Sequence, residues 1–380
     1  MSEYQYYEFQ AIDRPLTPEE QQAVARLSSR VDPHPWRAVF TYSFGGGIGR
    51  RAEDLLADYY DALLYLANWG SRQLVFRFPK GLVAPEQLRQ YNVETLEYPS
   101  NTITVSTGGE YAILDIQLHE EEGLGWIEGE GWLGSLVGLR DAILQGDHRV
   151  LYLAWLKGLE LAYNVDEDAQ EPPIPPGLRE LTPSLRTFVE LFDVNEDLID
   201  AAAQRSASLK ARALTEDDLR RAIAQLSTEE RDGFLLRLAQ GESHLSLVLN
   251  RRLGTLVGAD VLQHEAGPRR TVGELFAEAK DLAERRRAAE AAAAEARRIA
   301  ELEALAQRGD AVWDEVDALI QQGQAKPYDE AVRLLRRLRD LAEYQGQTVA
   351  FEARLNRIHD EYNRRPALMR RLRNAGLLRG

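Results

Sequence analysis

The stretch FTYSFGGGIGRRAEDLLADYYDALLYLANWG, from Phe40 to Gly70, joins two sequence patterns through a run of glycines. Alternate residues before the glycines lie on one side of an extended chain, as in a strand: Ala38, Phe40, Tyr42 and Phe44. Apolar residues after the glycines recur at helical spacing: Leu56, Tyr59, Leu63 and Leu66. On that helix Asp54, Asp58 and Asp61 would share the opposite, solvated face. The stretch therefore predicts a strand, a glycine loop and a helix.

Phosphate-binding loops also follow a strand and precede a helix, whose first N–H groups face the anion. The candidate residues of such a site are Gly45, Gly46, Gly47, Gly49, Arg50 and Arg51. The loop lacks the Gly-Lys-Ser/Thr ending of a nucleoside-triphosphate site, and it is not a clean G-x-G-x-x-G either. Acidic residues at helical spacing from Arg50 would partly neutralise it. A plain connection between strand and helix is favoured, and a nucleotide-binding or enzymatic site remains the alternative.

The neighbouring segments predict more strands than helices. Tyr4–Ile12, Leu74–Phe78 and a hairpin of Ile103–Val105 with Tyr111–Leu118 have strand patterns, and Thr17 with Glu20 forms the capping box of a helix. The apolar segments Trp132–Leu144 and His148–Tyr163 predict helices that pack on the sheet. The result is an α+β N-terminal domain, a sheet with helices on one face.

The remainder of the chain is predicted to be all α, with one long helix and a helical-hairpin C-terminus. Helix N-caps are expected at four positions: Thr182, Asn195, Thr215 and Ser227. Thr271 and Glu274 would cap the long helix, and Gly323 and Gly346 mark breaks between three helices near the C-terminus, which a final turn follows after Pro366. The acidic, proline-rich segment VDEDAQEPPIPPGL is typical of a stiff connector. The predicted divisions are an α+β domain (1–165), a linker (166–178), a helical domain (179–268), a long helix (269–309) and a C-terminal helical-hairpin domain (310–380). Alanine and glutamate dominate the long helix. Its thin apolar stripe predicts packing on a partner, on another part of the chain or on a second copy of itself, and favours these over a lone solvated rod.

Composition excludes several classes of chemistry. The 380 residues include no cysteine, which removes disulfides, thiol catalysis and cysteine-based metal sites. The six histidines show no metal-ligand pairing, and no serine lies in a Gly-x-Ser-x-Gly turn. No apolar run is long enough to span a bilayer, and the N-terminus lacks a signal-peptide pattern. We expect a cytoplasmic protein without a cofactor, a metal or a membrane association, and the missing catalytic motifs favour a non-catalytic role.

Charge is distributed unevenly along the chain. The net charge is −15, yet residues 271–380 are almost neutral, because arginines collect near the C-terminus. The candidate contact residues are Arg333, Arg336, Arg337, Arg364, Arg365, Arg370, Arg371 and Arg373. Such a surface can dock on an acidic protein or grip phosphates. The lack of interleaved aromatic residues weakens single-strand binding, so docking on another protein is favoured.

Two parts of the sequence resemble known bacterial proteins. The start, MSEYQYYEFQAIDRPLT, resembles an uncharacterised bacterial family of similar length. The stretches RTVGELFAEA, PYDEAVRLLRRLRDLAEYQG and RPALMRRLRNAGLL resemble the C-terminal region of bacterial proteins, some of which carry a SWIM-type zinc finger. That finger needs Cys-x-Cys and Cys-x-His ligands, which this chain lacks. The resemblance implies a role beside nucleic-acid machinery and assigns no residue.

Together these patterns predict an adaptor that binds other protein subunits through helical surfaces. The alternatives are an accessory protein of nucleic-acid processing, with the basic C-terminal region on phosphates, and an enzyme or nucleotide binder at the glycine loop.

Overall fold

The computed structural model describes residues 4–31, 33–43, 47–48, 51–95, 100–120, 129–209, 215–242, 244–257 and 269–378. The chain divides into two compact units, residues 1–282 and 283–380. The first unit contains an antiparallel sheet with helices, and an all-helical region with a long helix follows. The predicted α+β class is therefore confirmed.

The sheet has six strands in the order β2-β1-β3-β4-β6-β5, and every neighbouring pair is antiparallel. Its strands are β1 (Tyr4–Gln10), β2 (Arg37–Ser43), β3 (Ala62–Ala67), β4 (Ser71–Pro79), β5 (Ile103–Gly108) and β6 (Tyr111–His119). The predicted hairpin of β5 and β6 is confirmed, and Gly109 takes the positive φ of 58° that its tight turn requires.

Helices cover both faces of this sheet. Those of the first unit up to residue 257 are α1 (Pro18–Ala25), α2 (Ala52–Tyr59), α3 (Pro85–Arg89), α4 (Trp132–Leu136), α5 (Gly138–Leu144), α6 (Arg149–Leu161), α7 (Pro183–Phe192), α8 (Glu196–Arg205), α9 (Glu216–Gln225), α10 (Thr228–Ala239) and α11 (Leu245–Leu256). Leu74 and Phe76 of β4 pack in a core with α4 to α8, and Val75 between them packs in a second core with α1 and α2. The sequence predicted helices on one face, and α1 and α2 add a layer on the other.

The helix predicted after the glycine loop was too long. Helix α2 ends at Tyr59, and the following ALLYLA is strand β3, which lies between β1 and β4. A strand with neighbours on both sides and helices on both faces is apolar throughout, so it lacks the alternation that marks a half-buried strand. Asp61 therefore does not share a solvated helix face with Asp54 and Asp58. It is buried, and its Oδ1 lies 2.7 Å from Nη2 of Arg77.

The predicted helix starts are confirmed where the structure describes them. Thr17 and Glu20 form the capping box of α1, and side chains cap α7 to α10 as expected: Thr182, Asn195, Thr215 and Ser227. The helix predicted from Trp132 to Leu144 is instead two helices that meet at Val137.

The segment predicted as a linker, residues 166–178, packs on the first unit. Glu171 is buried, and its Oε2 lies 2.6 Å from Nε of the buried Arg270. The hydroxyl of Tyr152 donates a hydrogen bond to the same carboxylate. This network holds the segment against α6 and the start of the long helix. The finer domain boundaries from the sequence stay a prediction.

The long helix, α12, runs from Val272 to Gln307, and Thr271 and Glu274 cap its start as predicted. Its 36 residues span about 54 Å at 1.5 Å per residue. Val272, Leu275 and Ala279 belong to the core of the first unit, and Leu302 and Leu305 to that of the second. Residues 284–298 are exposed. Self-association through this helix stays a prediction.

The second unit continues with four helices, where the sequence predicted three helices and a final turn after Pro366. They are α13 (Ala311–Gln321), α14 (Ala325–Tyr344), α15 (Thr348–Tyr362) and α16 (Pro366–Asn374). The predicted breaks at Gly323 and Gly346 lie between them, and both glycines have φ of 68°. Leucines and aromatic residues of all four helices form one core.

Candidate interaction surfaces

The glycine loop is only partly described. Gly45, Gly46, Gly49 and Arg50 lie outside the described residues. Gly47 is exposed, and Arg51 immediately precedes α2. The Nε of Arg51 lies 3.6 Å from Oε2 of Glu53, so an acidic neighbour partly neutralises this arginine. The predicted anion site stays a prediction.

The arginines of α14 form an exposed surface. Arg333, Arg336 and Arg337 are exposed, and none has an ion-pair partner among the described residues. The opposite side of α14 is buried in the core of the second unit, as amphipathic spacing requires. The predicted basic face of this helix is therefore present.

The arginines around α16 have two different roles. Arg365 donates to the carbonyl of Ile320 and lies over the ring of Tyr362, and the Nε of Arg371 lies 2.6 Å from Oδ1 of Asp329. These two side chains stabilise the fold of the second unit. Three others are exposed and have no ion-pair partner among the residues that the structure describes: Arg364, Arg370 and Arg373.

Helix α10 exposes an apolar surface that the sequence prediction missed. None of its residues is buried. Leu235, Leu236 and Leu238 are 59%, 60% and 64% exposed. We call these three residues the leucine face of α10. A typical monomer exposes single apolar residues rather than several on one helix, so this surface calls for an explanation.

The side of α10 that faces α11 carries two charged residues and one aromatic ring. Glu230 accepts a hydrogen bond of 2.7 Å from Nε of Arg252 on α11. Arg237 lies over the ring of Phe234 and pairs with Glu242, at 2.7 Å from Nε to Oε2. At 100° per residue, Glu230, Phe234 and Arg237 share one side of the helix. Leu235 and Leu236 point away from that side, and Leu238 lies at its edge, next to Phe234. Helix α10 therefore differs from an ordinary surface helix, which turns its leucines toward the protein interior.

The neighbourhood of α10 explains why its leucines find no cover within the described chain. Among the described residues, the core that α9 and α11 share has three buried members, with four partly buried apolar residues packed on them. The buried members are Ala222, Leu226 and Leu253. A cluster of that size is too small to cover the leucine face of α10 as well. The sequence signal was the run FLLRLA itself, whose apolar residues spread over too much of the helix for one inward stripe.

A polar group lies inside the first unit, on the α2 side of the sheet. Asp115 of β6 accepts a hydrogen bond of 3.0 Å at Oδ2 from Gln73, and its buried Oδ1 has no partner among the described residues. Burial raises the pKa of Asp115 to about 7, and the nearby charge of Glu53 acts in the same direction. A carboxyl group that titrates near neutrality is a marker of functional sites in general. Here no described basic side chain or hydroxyl completes a catalytic arrangement with it.

The described residues contain no cluster of histidine and carboxylate side chains that could hold a metal ion. Over the same ranges, no helix combines the length and the apolar content needed to cross a bilayer. Comparison of the chain with protein-family models, with curated proteins and with solved structures found no match. The case for a function therefore depends on the chain's own surfaces.

Proposed function

We propose that the protein is a non-catalytic, cytoplasmic component of a multiprotein assembly, and that another protein subunit covers the leucine face of α10. The exposure of three leucines on α10 carries this proposal. Its inner side is bound through charged groups, and its outer side exposes Leu235, Leu236 and Leu238.

The energetics favour a partner surface that is itself apolar. Burying a leucine side chain contributes about 1.5–3 kcal/mol relative to leaving it exposed. Leu235 and Leu238 are three residues apart and lie on the same side of the helix, the spacing with which an amphipathic helix enters a hydrophobic groove. The flanking charges on α10 have both signs, so they do not select a strongly charged partner. A groove or an apolar helix face of another subunit fits this surface.

The test replaces two leucines and follows the partner. The tagged chain, purified from its own host, is compared with the double variant Leu235→Gln/Leu238→Gln by native mass spectrometry. A stoichiometric subunit should accompany the natural chain and be absent from the variant. The matched control, Arg336→Gln/Arg337→Gln, changes two exposed residues of α14 and should retain that subunit.

Two outcomes would contradict this assignment. The same subunit in equal amount on the double variant would place the binding surface elsewhere. A doubled mass of the chain alone, absent in the double variant, would show that a second copy covers the leucines instead of a different subunit.

A second candidate function is an accessory role on nucleic acid. Residues 362–378 include five arginines and no acidic residue, and three of those arginines are exposed without a partner among the described residues. Residues 283–380 contain 19 Lys and Arg against 16 Asp and Glu, whereas residues 1–282 contain 27 against 45. Only the second unit is therefore suited to a phosphate backbone.

Salt dependence distinguishes this candidate. If the exposed arginines bind phosphates, affinity for a duplex oligonucleotide should fall steeply between about 50 and 200 mM salt. The slope of the logarithm of the binding constant against the logarithm of the salt concentration measures this dependence. In the triple variant Arg364→Gln/Arg370→Gln/Arg373→Gln, the magnitude of that slope should decrease by about one unit for each phosphate that the variant no longer neutralises. Flat salt dependence, or an unchanged slope in the triple variant, would exclude phosphate binding by these residues.

A further inference from the structure

We infer that the first unit binds a small organic carboxylate in a cleft against Arg251, a site separate from the leucine face of α10. Nothing in the proposed assembly role requires such a ligand, so the two proposals stand independently.

The cleft lies where three parts of the first unit meet. The segment leading into α3, the connection between α5 and α6, and the middle of α11 enclose about 290 Å³. Leu82, Val83 and Ile143 provide apolar wall, and Gln87, Gln145 and Arg251 add polar groups. This volume is at the lower end of small-molecule sites, and apolar and polar groups share the lining of the cleft about equally.

Among the described residues, Arg251 differs from the buried cations of this unit in having no counter-charge. Arg77 lies 2.7 Å from Asp61, and Arg140 lies 2.8 Å from Asp13. Half-buried Arg251 instead donates to two backbone carbonyls, from Nη1 to Leu82 at 2.7 Å, and from Nη2 to Leu144. It has no carboxylate partner among the described residues, and burial lowers its pKa. A partly desolvated cation of this kind favours an anion beside it.

The two carbonyl bonds also prepare Arg251 to bind. A guanidinium group has five N–H donors, and the carbonyls of Leu82 and Leu144 use two of them. The bonds hold the planar group in one orientation, which lowers the entropic cost of binding. The remaining donors suit a carboxylate, which accepts two parallel hydrogen bonds from an arginine. The apolar wall would receive a short hydrocarbon chain or ring, so the expected ligand is a small carboxylate with an apolar body.

The simpler interpretation is that Arg251 only fastens α11 to the rest of the unit. In that case its replacement lowers stability, and no anion binds at the cleft. Ligand binding by the folded chain, followed with variants that change the cleft in different ways, separates these interpretations.

The experiment measures thermal stabilisation of the full chain by benzoate and hexanoate, with benzamide as the uncharged control. Up to about 20 mM is sufficient, because a ligand with a Kd of about 1 mM is then nearly saturating. Both acids should raise the melting temperature in a saturable manner, and benzamide should not. In Arg251→Gln the affinity should fall by about tenfold or more, as expected for the removal of a charge-assisted hydrogen bond.

Three further variants keep the test decisive. Val83→Trp fills the cleft and leaves Arg251 in place, so it should also abolish the stabilisation. Arg252→Gln changes the adjacent arginine, which pairs with Glu230, and should bind as the natural chain does. Leu235→Gln/Leu238→Gln should also bind normally, whatever the fate of the partner subunit. Absence of stabilisation by both acids, or equal stabilisation in Arg251→Gln or Val83→Trp, would overturn the inference.

Discussion

Helices α14 and α10 each carry several leucines, yet they place them in opposite directions. Helix α14 buries Leu335, Leu338 and Leu341 and exposes its arginines. Helix α10 buries no residue, pairs its charged side with α11 and exposes three leucines. The difference arises from their neighbours, since α14 packs with α13, α15 and α16 around a large core, whereas α9 and α11 share a core of three residues.

This contrast shows what hydrophobic periodicity can determine. Periodicity establishes which residues share a side of a helix. It does not establish that the apolar side faces the same chain, because a partner can supply the apolar surface equally well. Variants of the two helices, and of one buried carboxylate, test this interpretation.

The largest effect is expected for Leu335→Ala in α14. Leu335 is fully buried among the helices of the second unit. Truncating a buried leucine to alanine usually lowers the free energy of unfolding by about 2–5 kcal/mol, because hydrophobic burial is lost and a cavity remains. Urea unfolding followed by circular dichroism measures the change. A destabilisation below about 1 kcal/mol would mean that α14 is no better packed than α10.

The next effect concerns Asp115, whose carboxyl group lies on the α2 side of the sheet and whose buried Oδ1 has no partner among the described residues. Its pKa is raised from 3.8 to about 7 in the folded chain. Between these values the folded state holds more protons than the unfolded state, so stability should fall as pH rises from about 4 to about 7. The free energy of unfolding should fall by at most about 1.4 kcal/mol per pH unit over this range.

Asp115→Asn provides the control, because the amide is isosteric and does not titrate. The variant should lack this slope and should be more stable than the natural chain at about pH 8, where Asp115 is otherwise charged. Equal slopes in urea-unfolding series of the two proteins would show that Asp115 titrates normally.

A smaller effect is expected at the start of α10. Ser227 caps the helix, and its Oγ accepts a hydrogen bond of 3.1 Å from the N–H of Glu230. Replacing such a cap by alanine typically costs about 1 kcal/mol of helix stability. Hydrogen exchange of the α10 amides should therefore accelerate in Ser227→Ala. Unchanged exchange would indicate that the Ser227 cap contributes little to the stability of α10.

Much of the fold follows from local sequence signals. Capping residues such as Thr17 and Ser227, the glycines at 109, 323 and 346, and the apolar stripes of the second unit correctly predicted most helices and the hairpin. These signals act within a few residues of one another, so the sequence displays them directly.

The errors occurred where the environment decides the structure. Strand β3 was taken for a helix because, buried on both faces, it has no alternation. The ion pair of Asp61 with Arg77 and the cleft at Arg251 join residues that are distant in the chain, so no local motif marks them. The leucine face of α10 was visible as FLLRLA, but its outward direction depends on how little core α9 and α11 provide.

The smallest expected effect on stability comes from Leu235→Gln/Leu238→Gln in α10. Because both leucines are exposed in the free chain, their replacement should change the free energy of unfolding by no more than about 0.5 kcal/mol. Urea unfolding of the purified chain, compared with Leu335→Ala, measures this. A destabilisation of about 2 kcal/mol or more would show that the chain itself buries these leucines, and the contrast between α10 and α14 would disappear. Unchanged stability together with release of the partner subunit would establish that α10 faces outward to bind it.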